Sequence, residues 1–125
     1  MLLVGLTLST DPFIRSPEHA GSMLLSDQST ITPEALHAKL DRESALVLNQ
    51  HNPPFWRPAN SVKTPIYWLA GERDAVISLK GAQRSAAFYG AEFAVVASAG
   101  HNLMMEPSSA DSIAKIDQWL QAQGL

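Results

Sequence analysis

The sequence predicts an α/β fold in which two parallel strands with flanking helices occupy residues 62–125, preceded by a helical region and connector over residues 1–61. Three observations carry that prediction. From Val62 onward the pattern runs strand, helix, strand, helix. Both strand candidates are apolar throughout instead of alternating, as strands buried on both faces are. Each strand is followed by a glycine and then a polar side chain, Asp74 after the first and His101 after the second. An acid and a base are presented in this way at the carboxyl ends of neighbouring parallel strands.

In chain order, the first element is the apolar opening Met1-Leu2-Leu3-Val4-Gly5-Leu6, closed by the turn-rich Ser9-Thr10-Asp11-Pro12. The opening has no basic residue ahead of it and its apolar run of about eight residues is short of a membrane span, so neither a signal peptide nor a transmembrane helix is expected. It also lacks a cap or turn signal ahead of it, as an element cut from a larger fold would. A short helix is expected from Pro17 to Leu25, where Ala20, Met23 and Leu24 share a face. A longer amphipathic helix is expected from about 33 to 49. Thr32 caps it, Pro33 takes its first position and Glu34 meets the positive end of the dipole, while Leu36, Leu40 and Ala45 or Val47 recur near helical spacing. The segment Asn49 to Thr64, with Pro53, Pro54 and Pro58, excludes continuous helix or central strand and reads as a connector.

The second region begins with Pro65-Ile66-Tyr67-Trp68-Leu69-Ala70, a strand closed by Gly71. Leu79, Ala82, Ala86 and Tyr89 then recur at helical spacing before Gly90, a natural stop. Phe93-Ala94-Val95-Val96-Ala97 is the second strand. Ser108 with Asp111 three residues on forms a capping signal, and Ile113, Ile116, Trp119 and Leu120 make one apolar stripe before Gly124. A β-α-β-α order calls for a parallel crossover, with both strand ends pointing the same way.

That topology pairs Asp74 with His101. Adjacent strands lie about 4.8 Å apart, so loops leaving their ends bring a carboxylate within reach of an imidazole. Asp74 would accept from His101 Nδ1–H, fix its tautomer and stabilise the imidazolium formed in catalysis, leaving Nε2 for a nucleophile. Gly100 lets the backbone turn just before the base, and Leu103, Met104 and Met105 pack beneath or beside the ring. Other roles stand beside these. An Asp after a strand also serves turns and caps, Glu72 is a competing acid, and an apolar flank also suits a buried, hydrogen-bonded histidine. No serine sits in Gly-x-Ser-x-Gly; Ser98, in Val96-Ala97-Ser98-Ala99-Gly100, is a half-match inside the turn leading to His101.

Composition removes other classes. With 46% hydrophobic and 17% charged residues in 125, the chain has the content of one folded domain. Nine Lys+Arg against 12 Asp+Glu give a net charge of −3 without a basic cluster, which argues against nucleic acid. Cysteine is absent, so disulfides and thiolate metal sites are excluded. His19, His37 and His51 lack zinc-ligand spacing, leaving loop or solvent-facing roles. No cofactor or metal is expected, and a cytoplasmic location is favoured. Trp56, Trp68 and Trp119 read as packing groups.

The block Val62 to Asp74, Ala87-Phe88-Tyr89-Gly90-Ala91, Ala99-Gly100-His101-Asn102-Leu103-Met104 and Ile116-Asp117-Gln118-Trp119-Leu120 resembles the C-terminal end of an α/β-hydrolase of the lysophospholipase and esterase type. Residues 1–61 resemble that family's helical cap through Ala20-Gly21-Ser22-Met23-Leu24-Leu25-Ser26 and Arg42-Glu43-Ser44. The resemblance implies Asp74 as catalytic acid, His101 as catalytic base and a small-molecule acyl substrate. It also implies a serine nucleophile on strands ahead of the cap, outside these residues. Two other classes stay open. One is a non-catalytic remnant or interaction module, self-associating through an exposed sheet edge. The other is part of an Asp-nucleophile dehalogenase or epoxide hydrolase.

Overall fold

The computed structural model describes residues 14–41, 57–59 and 61–125. Within them the chain is mixed α/β, with four α-helices and a two-stranded parallel sheet. Helix α1 spans Pro17–Leu24 and opens on Ser16, whose hydroxyl accepts from the His19 amide. That hydroxyl also holds the Glu18 carboxyl below its ordinary range. Helix α2 spans Pro33–His37, with Thr32 accepting from Ala35 N–H as its cap. The two helices pack against each other and bury Ala20, Leu25 and Leu36.

The helix expected from 33 to 49 is therefore much shorter over the described positions. After His37 the bonds tighten to Lys39 N–H on Leu36 O and Leu40 N–H on His37 O, and the helix ends. A helix this short is held by packing more than by propensity. Past Leu36 no residue up to Asp41 is buried, so nothing carries it further. Positions 42–49, with Ala45 and Val47, lie outside the described residues, as do His51, Trp56 and the apolar opening.

Strand β1 spans Tyr67–Gly71 and strand β2 spans Glu92–Val96, paired parallel with Tyr67 opposite Glu92 and Gly71 opposite Val96. Helix α3, Leu79–Tyr89, connects them. It is capped by Ser78 on the Gly81 amide and stopped at Gly90, whose φ of 63° is the left-handed conformation that glycine adopts without steric cost. Ala82 and Ala86, one turn apart, form its buried face, and α3 packs on both strands. Small side chains here permit close approach of helix to sheet. The apolar runs predict burial on both faces of the strands, yet only Ala70, Gly71 and Val96 are buried. The remaining strand residues are half-buried, apart from exposed Glu92, because among the described residues each strand is paired along one edge only.

Helix α4, Ser109–Ala122, also packs on both strands, and Tyr67 stacks on Trp119 at 5.4 Å and 12°. Its docking differs from the apolar stripe in two ways. Ser108 occupies the N-cap position without a side-chain cap bond. Ile113 and Ile116 are exposed, whereas Ser112 is buried. Ile116 and Leu120 lie about 40° apart on the helix and Ile113 only about 20° from Leu120, so all belong to the expected stripe, of which the described residues cover the Ser112, Trp119 and Leu120 side and leave Ile113 and Ile116 in the open. No helix among the described residues is long and apolar enough to cross a membrane.

Candidate functional site

The loops leaving β1 and β2 lie directly on one another. Glu72 N–H donates to Val96 O at 3.0 Å, and Arg73 N–H to Ala99 O at 2.9 Å. Gly71 makes this possible, since a Cβ there would stand 2.2 Å from Gly100 O and 2.6 Å from Ala99 O. Only a residue without a side chain fits beneath the second loop.

At this junction His101 Nδ1 meets Asp74 Oδ2 at 3.0 Å, with Asp74 8% and His101 31% exposed at the side chain. The other carboxylate oxygen, Oδ1, accepts from the amides of Val76 at 2.8 Å and Ile77 at 2.9 Å. The carboxylate is thus oriented by backbone donors on the side away from the ring. A carboxylate accepting at Nδ1 leaves the Nε2 lone pair for proton transfer, the arrangement that general-base chemistry uses.

Glu72, the competing acid, braces the second loop instead, its Oε2 accepting from Ser98 N–H at 2.8 Å. Ser98 has a φ of 57°, so the turn between β2 and His101 passes through the left-handed region without a glycine, and the Glu72 brace holds it there. Arg73 forms an ion pair with Asp27, from the segment after α1.

Beyond His101, Leu103–Met105 form one 3-10 turn, begun by Met105 N–H on Asn102 O at 2.8 Å. Leu103 and Met105 are half-buried, but Met104 is 74% exposed and does not pack on the ring. Three residues in a 3-10 turn point in three directions about 120° apart, so one of them faces outward. Asn102 N–H donates to Leu24 O at 3.0 Å, and Ser29 Oγ to Met105 O at 3.3 Å. The α1 end therefore lies against the histidine loop.

Two partners of this loop do not stand out in the sequence. Glu106, only 3% exposed, accepts from Ser26 N–H at 2.7 Å, Gly100 N–H at 3.2 Å and Ser26 Oγ–H at 2.6 Å. An acid closing an apolar triplet, five residues past the histidine, is the sequence signal at Glu106. Ser26 gives none, being 80 positions away.

Of the remaining histidines, His19 is exposed and His37 Nε2 bonds Ile14 O at 2.9 Å. Among the described residues no group of three His, Asp or Glu is placed to hold a metal ion. Comparison with known protein families, curated proteins and solved structures finds no match to this chain.

Proposed function

We propose that this chain supplies the acid and base of a Ser-His-Asp triad, as part of an α/β-hydrolase acting on carboxylic esters or related acyl substrates. His101 serves as general base and then general acid, and Asp74 orients it. The observation carrying the reading is the 3.0 Å contact between Asp74 and His101 at the carboxyl ends of adjacent parallel strands, with Asp74 fixed from behind by two amides. In this reading the nucleophile is a serine outside the 125 residues, since none within them lies in Gly-x-Ser-x-Gly.

The test begins with the reading frame upstream of Met1, co-expressed with this chain. A Gly-x-Ser-x-Gly segment whose addition gives hydrolysis of a chromogenic short-chain ester, suppressed by His101→Ala, supports the proposal. A frame without that motif sinks it, and Gly-x-Asp in its place favours the dehalogenase or epoxide hydrolase class. The chain alone gives no His101-dependent turnover, because loss of a triad member typically removes several orders of magnitude in rate. Turnover by the isolated chain that His101→Ala abolishes refutes the missing nucleophile.

A second reading, a non-catalytic interaction module, is favoured by the exposure of Phe88 at 59%, Ile113 at 66% and Ile116 at 41%. Large apolar groups on α3 and α4 left in water are the material of an association surface.

A further inference from the structure

We infer that Glu106 is a positioning residue, clamping the segment Leu24–Ser26 to the loop that carries His101 and so fixing the imidazole against Asp74. The inference rests on the proposed acid–base role of that pair. Glu106 is a buried carboxylate whose two oxygens take three hydrogen bonds, two from Ser26 and one from the amide of Gly100, the residue before His101. The residue after His101 is tied to the same segment, through Asn102 N–H on Leu24 O. His101 is thus bracketed on both sides by bonds to one short stretch at the end of α1.

Steric fit reinforces the bracket. A Cβ on Gly100 would stand 2.7 Å from Ser26 N, 2.8 Å from Glu106 Oε1 and 2.8 Å from Leu25 C, so loop, carboxylate and segment are in mutual contact. Charge-assisted bonds donated to a buried carboxylate are among the stronger hydrogen bonds, and a desolvated anion that loses them is costly. In this arrangement Leu24–Ser26 is a platform beneath the base, and the α1 end does not lift away while His101 keeps its place.

The experiment follows the water-exchange rate of the His101 Nδ1 proton by NMR in the full 15N-labelled chain. The Glu92 amide, bonded to Ile66 O at 3.0 Å, reports on the sheet. Glu106→Ala is expected to accelerate Nδ1 proton exchange about tenfold with the Glu92 amide still protected. Glu106→Gln keeps an oxygen for the two amides and an NH2 for the Ser26 hydroxyl, so it holds exchange within about threefold of wild type. Exchange unchanged in Glu106→Ala overturns the clamp. Should Glu106→Ala fail to fold, Ser26→Ala decides, since it deletes the bond to Oε2 together with one exposed bond from the Gln28 amide, on the side away from the His101 loop. Faster exchange there supports the clamp, and an unaltered rate overturns it. A wild-type chain without a hydrogen-bonded Nδ1 proton defeats the acid–base reading and the clamp with it. A proton that Asp74→Asn abolishes but Glu106→Ala leaves untouched defeats the clamp alone.

Discussion

Asp74 holds His101 with one carboxylate oxygen and is itself held through the other, by the amides of Val76 and Ile77. The pair is therefore oriented from the acid outward. An amide at position 74 cannot serve both sides: if its oxygen accepts from the two backbone amides, its NH2 faces His101 Nδ1.

Asp74→Asn is expected to reverse the imidazole tautomer, because a donor opposite Nδ1 requires that nitrogen to accept. The ring 15N chemical shifts of His101 report this directly, moving the proton from Nδ1 to Nε2. Stability falls by about 1–3 kcal/mol, the usual cost of disrupting bonds to a charged, largely buried group. An unchanged tautomer would show that the geometry does not govern the ring.

Gly71 and Gly90 separate two reasons for a glycine. Gly71→Ala forces a Cβ against the carbonyl oxygens of Gly100 and Ala99, and neither loop can yield without moving His101. About 3 kcal/mol should be lost, at the upper end of ordinary overpacking. Gly90→Ala meets no atom within 4 Å but must hold a φ of 63°, so its cost is about 1–2 kcal/mol. Urea midpoints rank the two. Equal losses would remove the steric account of Gly71.

Three capping serines and threonines should not behave alike. Thr32→Ala and Ser78→Ala each remove a side-chain bond to a helix amide, costing about 1 kcal/mol. Ser108→Ala removes none and stays within about 0.5 kcal/mol of wild type. A large loss at Ser108 in chemical denaturation would contradict the observed α4 start.

The sequence made α3 and both strands legible almost to the residue because their signals are local. A capping Ser78, apolar positions at Leu79, Ala82, Ala86 and Tyr89, and Gly90 bound the helix without reference to any partner. The proximity of Asp74 and His101 followed from parallel topology alone. Three features were not legible. Helix α2 stops early because burial ends at Leu36, a tertiary fact. The exposure of Ile113 and Ile116 is likewise tertiary, because periodicity puts them in one stripe with Trp119 and Leu120 without saying which part of that stripe is covered. Glu106 and Ser26 meet across 80 positions of chain, so no short motif contains both.

The pH response at α1 has a definite sign. The Ser16 hydroxyl, foremost, and the backbone at Glu18 lower that carboxyl from its ordinary value of 4.5. A folded value below the unfolded one contributes stability that is fully present above 4.5 and lost as pH falls through the lowered value. Ser16→Ala should move the Glu18 titration back toward 4.5 and flatten the acid limb of α1 unfolding. Carboxyl 13C shifts followed through the titration measure it, and an unmoved Glu18 curve in the variant would rule out the hydroxyl as cause.

Exposed Ile113 and Ile116 on α4 give the last prediction, since folding and association make opposite demands on them. Ile113, 66% exposed, contributes little to the fold and Ile116, 41% exposed, somewhat more, so Ile113→Lys should change stability in urea by no more than about 0.5 kcal/mol and Ile116→Lys by about 1 kcal/mol. If the face instead mediates self-association, the same pair of charges opposes it strongly, because burying an unpaired ammonium costs far more than burying isoleucine. Sedimentation velocity over a concentration series then shows a wild-type chain that associates and a double variant that is folded and stays monomeric. A double variant that sediments as the wild type does removes the α4 face from the interaction reading. A double variant that unfolds would mean that these isoleucines are buried in the folded chain in solution, against their observed exposure.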